Sequence, residues 1–334
     1  MVVTSHDVAR LAGVSQPTVS RALRDSPKVS AHTKRRVREA ATALGYVPSE
    51  TGRALSSGRT RRIGLLLTDL ENQFYPHVIA PMHHELEAVD YQLVLQTESS
   101  DSGRVAERLL ANALDGVLLA TTTTDSVLPV RLRDRGVPMV YFNRTSAAVE
   151  ADSAEVDAVS GMTELAERVV ALGHRRIGAV FGPRNTSTGE HREQALREVL
   201  AAHGAGISPS LSRRGPFDVA TGHAGALALL QQEPRPTVVF CGNDVVAFGA
   251  LNAARELGLS VPGDVSVVGF DDLPAAAWPL LQLTTVAFDL DAMARRAANL
   301  LVRRIEDGPD RPYRHERFPS RLVERGTLGP PAAP

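Results

Sequence analysis

The sequence predicts an N-terminal all-α head followed by an α/β core of two doubly wound parallel-sheet subdomains. Three observations carry that fold class. Apolar residues at helical spacing fill the first 45 positions, and a Ser-, Gly- and Arg-rich stretch follows them. From Ile63 onward, short apolar runs then alternate with amphipathic ones. At 334 residues the chain is also longer than one ordinary domain.

Three helices fit in the head. Thr4 and Asp7 stand in the spacing of a capping box. Val8, Leu11 and Ala12 form an apolar stripe behind them, and Gly13 suits a left-handed stop. "PTVSRAL" brings Val19, Ala22 and Leu23 to one face. For its start, Gln16 is read as the cap and Pro17 as the first helical residue, because a proline needs no donor there. Ser30 caps a third helix burying Val37, Ala40, Ala41 and Leu44, and Gly45 ends it. A single pivot residue between the first two helices allows the sharp crossing of a helix-turn-helix.

Residues 48–62, "PSETGRALSSGRTRR" from Pro48, have few core-grade side chains and read as a linker. Beyond it, "IGLLLT", "YQLVLQ", "GVLLA", "PMVYF", "RIGAVF", "TVVFC" and "VSVVGF" are continuous apolar strands. Helical stretches at 76–89, 161–172, 190–203, 221–232 and 246–257 separate them. Strands apolar on both faces with helical crossovers mean parallel sheets covered on both sides. The pattern restarts after residue 160, which predicts two similar halves. Ligands in such sheets bind beyond the carboxyl ends of the strands, so the cleft between the halves is the expected site.

Charge is polarised. Residues 1–62 hold twelve Lys or Arg against four Asp or Glu, a surplus of +8. With a net charge of −1, the rest of the chain carries −9. A basic head on an acidic body points to a polyanion partner. No apolar run approaches the roughly 18 residues of a membrane span, and the first residues lack the layout of a secretory signal. Cys241, the only cysteine, allows no internal disulfide and sits in an apolar run as a buried thiol. A reducing cytoplasm is the expected compartment, with association to the nucleoid. No Gly-x-Gly-x-x-Gly or HExxH pattern is present, so no catalytic role, cofactor or metal is expected. His174 in "LGHRR" reads as a structural turn residue. Asp271 and Asp272 end a buried strand, one facing the cleft and the other in a turn.

The segments "DVARLAGVSQPTVSRAL", "GRAL", "ALGHRRIGAVFGP", "CGNDVVAFGAL" and "VPGDVSVVGFDDLPAAAWPLLQLTTV" resemble, in order, the lactose-repressor (LacI/GalR) family of transcription regulators. The resemblance implies a helix-turn-helix DNA-binding domain at 1–47 and a hinge helix and linker at 48–62. It also implies a periplasmic-binding-protein-like effector and dimerisation core at 63–334, its subdomains being roughly 63–160 plus 290–320 and 161–289 plus 321–330. The small hydroxyls of Thr4, Ser15, Thr18 and Ser20 stand at helix starts and suit phosphate oxygens. Thr33, Lys34 and Arg35 open the third helix and would add phosphate contacts. By resemblance, Gln16, Pro17 and Arg21 occupy base-reading positions, where Gln can pair with adenine and Arg with guanine. Leu55 matches the family's minor-groove wedge, and Arg53 is placed to meet the backbone. Gly52 departs from the family's better helix formers, which predicts a hinge that folds only on DNA.

The resemblance also implies an effector site. Its residues are Asn72, Phe74, Asn143, Arg144, Asp157, Thr188, Arg192, Phe217, Asn243 and Asp271. Flat apolar surfaces with Asn, Asp and Arg suit a sugar. Each has a structural alternative: Asn243 and Asp244 as helix caps, Phe217 as core, Arg192 paired to an acid, Asp157 as a surface carboxylate. Ala158, Ala287 and Phe288 depart from the polar residues usual in the family. The expected partners are a near-palindromic operator DNA, a small-molecule effector and a second copy in a homodimer. The tail "GTLGPPAAP" shows no heptad repeat that would build a tetramer. A transport protein sharing the core fold is the alternative reading; it would need a signal peptide and would have no use for the basic head.

Overall fold

A computed structural model describes residues 3–47, 58–68, 70–97 and 114–332. The chain forms two compact units, Met1–Thr60 and Arg61–Pro334.

In the first unit, α1 (Ser5–Ala12), α2 (Gln16–Leu23) and α3 (Ala31–Ala43) enclose Val8, Ala12, Val19, Ala22, Val37, Ala40 and Ala41. Leu11 is not part of this core and is 58% exposed. It lies about 60° round the helix from Val8, on the rim of a stripe that Val8 and Ala12 define. The Asp7 carboxylate accepts from the Thr4 N–H at 3.0 Å and the Thr4 hydroxyl at 2.7 Å. Gly13 takes φ 61°, and Arg36 reaches across from α3 to donate to the Ala12 carbonyl. The start of α2 differs from expectation: Ser15 is the cap, Gln16 the first helical residue and Pro17 the second. Ser15 caps better than Gln, and its carbonyl takes the Thr18 and Val19 N–H groups. Pro17 still costs no hydrogen bond, because the whole first turn lacks intrahelical acceptors.

The second unit begins with β1 (Arg62–Leu67), α4 (Pro76–Glu87), β2 (Gln92–Thr97), β3 (Gly116–Leu119), α5 (Leu128–Asp134), β4 (Met139–Phe142) and β5 (Asp152–Asp157). It continues through α6 (Ala158–Ala171), β6 (Ile177–Phe181), α7 (Ser187–Ala202), β7 (Ser212–Arg214), α8 (Val219–Leu230) and β8 (Val238–Cys241). It closes with α9 (Asp244–Glu256), β9 (Ser266–Phe270), β10 (Thr284–Ala287), α10 (Leu290–Asp307), β11 (His315–Pro319) and β12 (Arg321–Val323). The strands form two six-stranded sheets, in the orders β11-β5-β4-β3-β1-β2 and β12-β10-β9-β8-β6-β7. Every pairing is parallel except β10 with β12.

The chain crosses between sheets at the junctions β5–α6, β10–α10 and β11–β12. Alternate strand residues face opposite layers: Leu65 packs in one core cluster and Leu66 in another. The helices α6 to α9 each start two or three residues upstream of the apolar periodicity. Polar caps at Asp157, Thr186, Asp218 and Asn243 extend them, each accepting a first-turn N–H. His174 is fully buried between Thr237 and the Gly329 carbonyl, at 2.9 and 2.8 Å. Burial pulls its pKa down, and it pushes the Cys241 thiol up. Among the described residues no helix is long and apolar enough to cross a membrane.

Candidate functional site

The head presents its expected DNA-facing residues unequally. Gln16 donates to Ser5 Oγ at 3.3 Å, while Pro17 and Arg21 are exposed. Among the described residues the Arg21 guanidinium has no partner. Several hydroxyls are already engaged: Ser15 with Thr18 at 2.8 Å, Thr33 with Ser30 at 2.9 Å, and Ser20 as acceptor from Arg24 at 2.8 Å. A hydroxyl that meets another hydroxyl keeps acceptor and donor capacity for a phosphate. Lys34 differs, because its Nζ donates to the Asp25 carbonyl at 2.8 Å and pairs with the Asp25 carboxylate at 3.1 Å. That cation ties the start of α3 to the turn after α2, and these contacts hold the Asp25 carboxyl below its ordinary range. Arg53, Leu55 and the hinge lie outside the described residues.

In the second unit, parallel pairing places the carboxyl ends of both sheets' strands along a common rim. Asn143 and Arg144 follow β4, Asn243 follows β8 and Asp271 follows β9. Thr188 and Arg192 stand in the first turns of α7, Phe217 precedes α8, and Asn72 and Phe74 follow β1. These nine line one cavity, with Tyr75 and Ala120 beside them. Asp157 does not line it; its carboxylate is occupied as the cap of α6, accepting the Val159 N–H at 3.1 Å. Tyr75 was missed by sequence reasoning, although "QFYP" places a second aromatic beside Phe74. A larger cavity of about 270 Å³, lined by Tyr141, Val149 and His315 among others, contains none of these residues.

At the centre, Arg192 Nη2 donates to Asp271 Oδ1 at 2.8 Å and Nη1 to the Gly242 carbonyl at 2.9 Å. Its guanidinium lies 3.8 Å from the Phe270 ring centroid. The Phe217 ring has Arg144 at 5.6 Å and Arg192 at 5.9 Å. Gly182 makes room for that ring: a Cβ there would stand 2.1 Å from its Cζ. Burial pushes the Asp271 carboxyl up, opposed by Arg192 and Asn243, and pulls Arg144 down. Behind the lining, Asp244 is fully buried, accepting from Thr285 Oγ1 at 2.5 Å and the Leu273 N–H at 2.8 Å. Burial and the neighbouring Asp271 push it up to about 7.

Three contacts span the two sheets' halves. Asn72 Nδ2 donates to the Phe217 carbonyl at 2.7 Å, the Thr124 N–H to Asn185 O at 2.9 Å, and the Thr145 N–H to Ser187 Oγ at 2.9 Å. The cavity beside the Asn72–Phe217 contact measures about 30 Å³. Within it, Asn143 Oδ1 and Arg192 Nε are buried without a hydrogen-bond partner among the described residues. A buried polar atom without a partner carries the full cost of its lost hydration, so both atoms stand out in this lining.

Comparison with known proteins agrees with both units. A model of the bacterial regulatory proteins of the lacI family matches residues 4–49, and one of a periplasmic binding protein-like domain matches 166–328. The HTH-type transcriptional regulator CelR of Thermobifida fusca is 34% identical over 92% of this chain and 93% of its own. A solved complex of the regulator CelR with cellobiose shares 33% identity and a TM-score of 0.73, covering 98% of this chain and all of that one. The lac repressor dimer bound to operator and the anti-inducer ONPF gives a TM-score of 0.86 at 25% identity, covering 98% of this chain and 99% of the other. With an N-terminal helix-turn-helix, two parallel sheets meeting at a lined cavity, and relatives aligned along nearly its whole length, the chain belongs to the lacI family of DNA-binding transcriptional regulators.

Proposed function

We propose that this protein is a homodimeric cytoplasmic repressor, associated with the nucleoid, whose affinity for a near-palindromic operator is set by a small polyol, most simply a sugar. It has no catalytic role in this reading. The observation that carries the proposal is the orphaned pair Asn143 Oδ1 and Arg192 Nε in the cavity between the two sheets. A hydroxyl both donates and accepts, so a polyol satisfies both atoms. The relative crystallised with cellobiose supports a carbohydrate.

The ligand site is made of Asn72, Phe74, Asn143, Arg144, Thr188, Arg192, Phe217, Asn243 and Asp271. The Asn72–Phe217 contact closes it from both sides, so an entering ligand must replace or reshape that contact. Only a ligand with different affinity for the two closures shifts operator binding. On the DNA side, Gln16 and Arg21 read bases by hydrogen bonds. Pro17, exposed and without a donor, meets an apolar edge such as a thymine methyl. Thr4, Ser15, Thr18, Ser20 and Thr33 supply phosphate contacts. The test is selection of bound DNA from a random pool by the full chain, repeated with a panel of sugars. A two-fold symmetric motif whose recovery changes with one sugar supports the proposal, and failure to enrich any such motif defeats it.

A further inference from the structure

The charges lining the cavity do not balance. Arg192 and Asp271 form a closed pair, their side chains only 6% and 2% exposed. Arg144 stands beside them with no carboxylate partner and no side-chain hydrogen bond among the described residues. The Phe217 ring lies 5.6 Å from its guanidinium, and Tyr75, Arg192 and Asp271 act on its charge through space. A guanidinium keeps its charge and offers five N–H donors, so among the described residues the lining holds two cations, Arg144 and Arg192, against one anion, Asp271. The donor inventory leans the same way: Arg192 Nε is also unpaired, against a single unpaired acceptor, Asn143 Oδ1. Thr188, in the first turn of the sixteen-residue α7, adds the positive end of a helix dipole to the same lining. Asp244, behind the lining, does not line the cavity, and its oxygens are taken by Thr285 and Leu273.

We infer that the effector carries an anionic group, a phosphate or a carboxylate on a small polyol, and that Arg144 is the residue that pairs with it. This rests on the effector reading above and narrows its chemical class. Desolvation pulls the half-buried Arg144 down, and an incoming anion opposes that shift. Paired oxygens on a planar fork add geometry as well as charge. Asn143 Oδ1 and Arg192 Nε remain for a hydroxyl of the same ligand.

The test uses the full chain, isothermal titration calorimetry and matched sets: neutral hexoses and pentoses, their terminal phosphates, and their uronates. The expected result is at least tenfold tighter binding of an anionic member than of its neutral parent. Arg144→Gln should collapse the difference to within about twofold, and Arg144→Lys should recover part of it. The phosphate and uronate arms distinguish the two anion sources. Inorganic phosphate serves as a ligand-independent probe by thermal shift at constant ionic strength. A rise in melting temperature for wild type and Arg144→Lys that Arg144→Gln loses supports the inference even where no sugar binds. A neutral sugar that binds as tightly as its phosphate and uronate, with no Arg144-dependent phosphate effect, overturns it while leaving the effector reading standing. If phosphate binds through Arg144 but no member of any set changes operator affinity, the anion site holds and the effector reading fails.

Discussion

Replacing Asp271 with Leu tests the central ion pair. The substitution leaves the Arg192 guanidinium, 5% exposed, with only the Gly242 carbonyl at 2.9 Å as partner. Breaking a buried pair by removing one member costs about 3–5 kcal/mol, because a charge remains buried without compensation. That lowers the folded-to-unfolded ratio by roughly two to three and a half powers of ten. Replacing both residues, Arg192→Met with Asp271→Leu, removes the stranded charge and places a thioether beside Phe270. The cost should then fall to about 1–2 kcal/mol, since Gly242 still loses its donor, at about 1 kcal/mol. Urea unfolding measured by far-ultraviolet circular dichroism gives the three midpoints and the coupling energy. Both variants should lose effector response, so stability and binding part company in the double variant. A double variant as unstable as Asp271→Leu alone would refute the reasoning, because the cost would then lie in packing and not in an uncompensated charge.

Four further outcomes follow from the geometry. Asp244 is held near 7 in the folded core against an ordinary 3.8, so its contribution is full below 3.8 and is lost as pH rises through about 7. His174, pulled down, acts oppositely: its contribution is full above its unfolded value and is lost as pH falls from there through its lower folded value. The wild-type minus Asp244→Asn difference in unfolding free energy should therefore shrink from pH 5 to pH 8, and a flat difference would count against the assignment. Gly13→Ala should destabilise the head by about 1–2 kcal/mol, from the left-handed backbone and the displaced Arg36 guanidinium 2.9 Å from the new Cβ; scanning calorimetry checks it. Arg21→Ala should weaken selected-operator binding by about 1–3 kcal/mol and relax one position per half-site. Lys34→Ala should leave the salt dependence of binding nearly unchanged and lower the head's melting temperature instead, because its cation is already spent on Asp25.

The buried strands were legible because both their faces are covered, and Leu65 and Leu66 must both be apolar to serve two layers. The five strands that escaped notice, β5, β7, β10, β11 and β12, are short or carry polar residues. The polarity of β5 has a structural cause: Asp152 accepts from Arg304 at 2.8 Å and from the Arg314 N–H at 2.9 Å, tying down the approach to β11. Leu11 was misplaced because an eight-residue helix gives the stripe too few turns to show its edge. The pairing of Lys34 with Asp25 was not legible, because a first-turn lysine looks the same in sequence whether or not an aspartate stands beside it.

The candidate site was legible in residue type but not in occupancy, for a reason built into parallel sheets. A polar residue leaving a strand is already placed to cap the next helix, so capping and ligand binding recruit the same kind of side chain at the same kind of position. Asn243 does both, accepting the Val246 N–H at 2.9 Å and lining the cavity, whereas Asp157 caps α6 and does not line that cavity. Spacing alone cannot separate them, because the difference lies in where the following crossover carries the chain. Pairing is hidden in the same way. Arg192 finds its acid 79 residues away at Asp271, while Arg144, in the same cavity, finds none. The sequence contains both arginines; only the fold shows that Arg192 is the one closed into an ion pair.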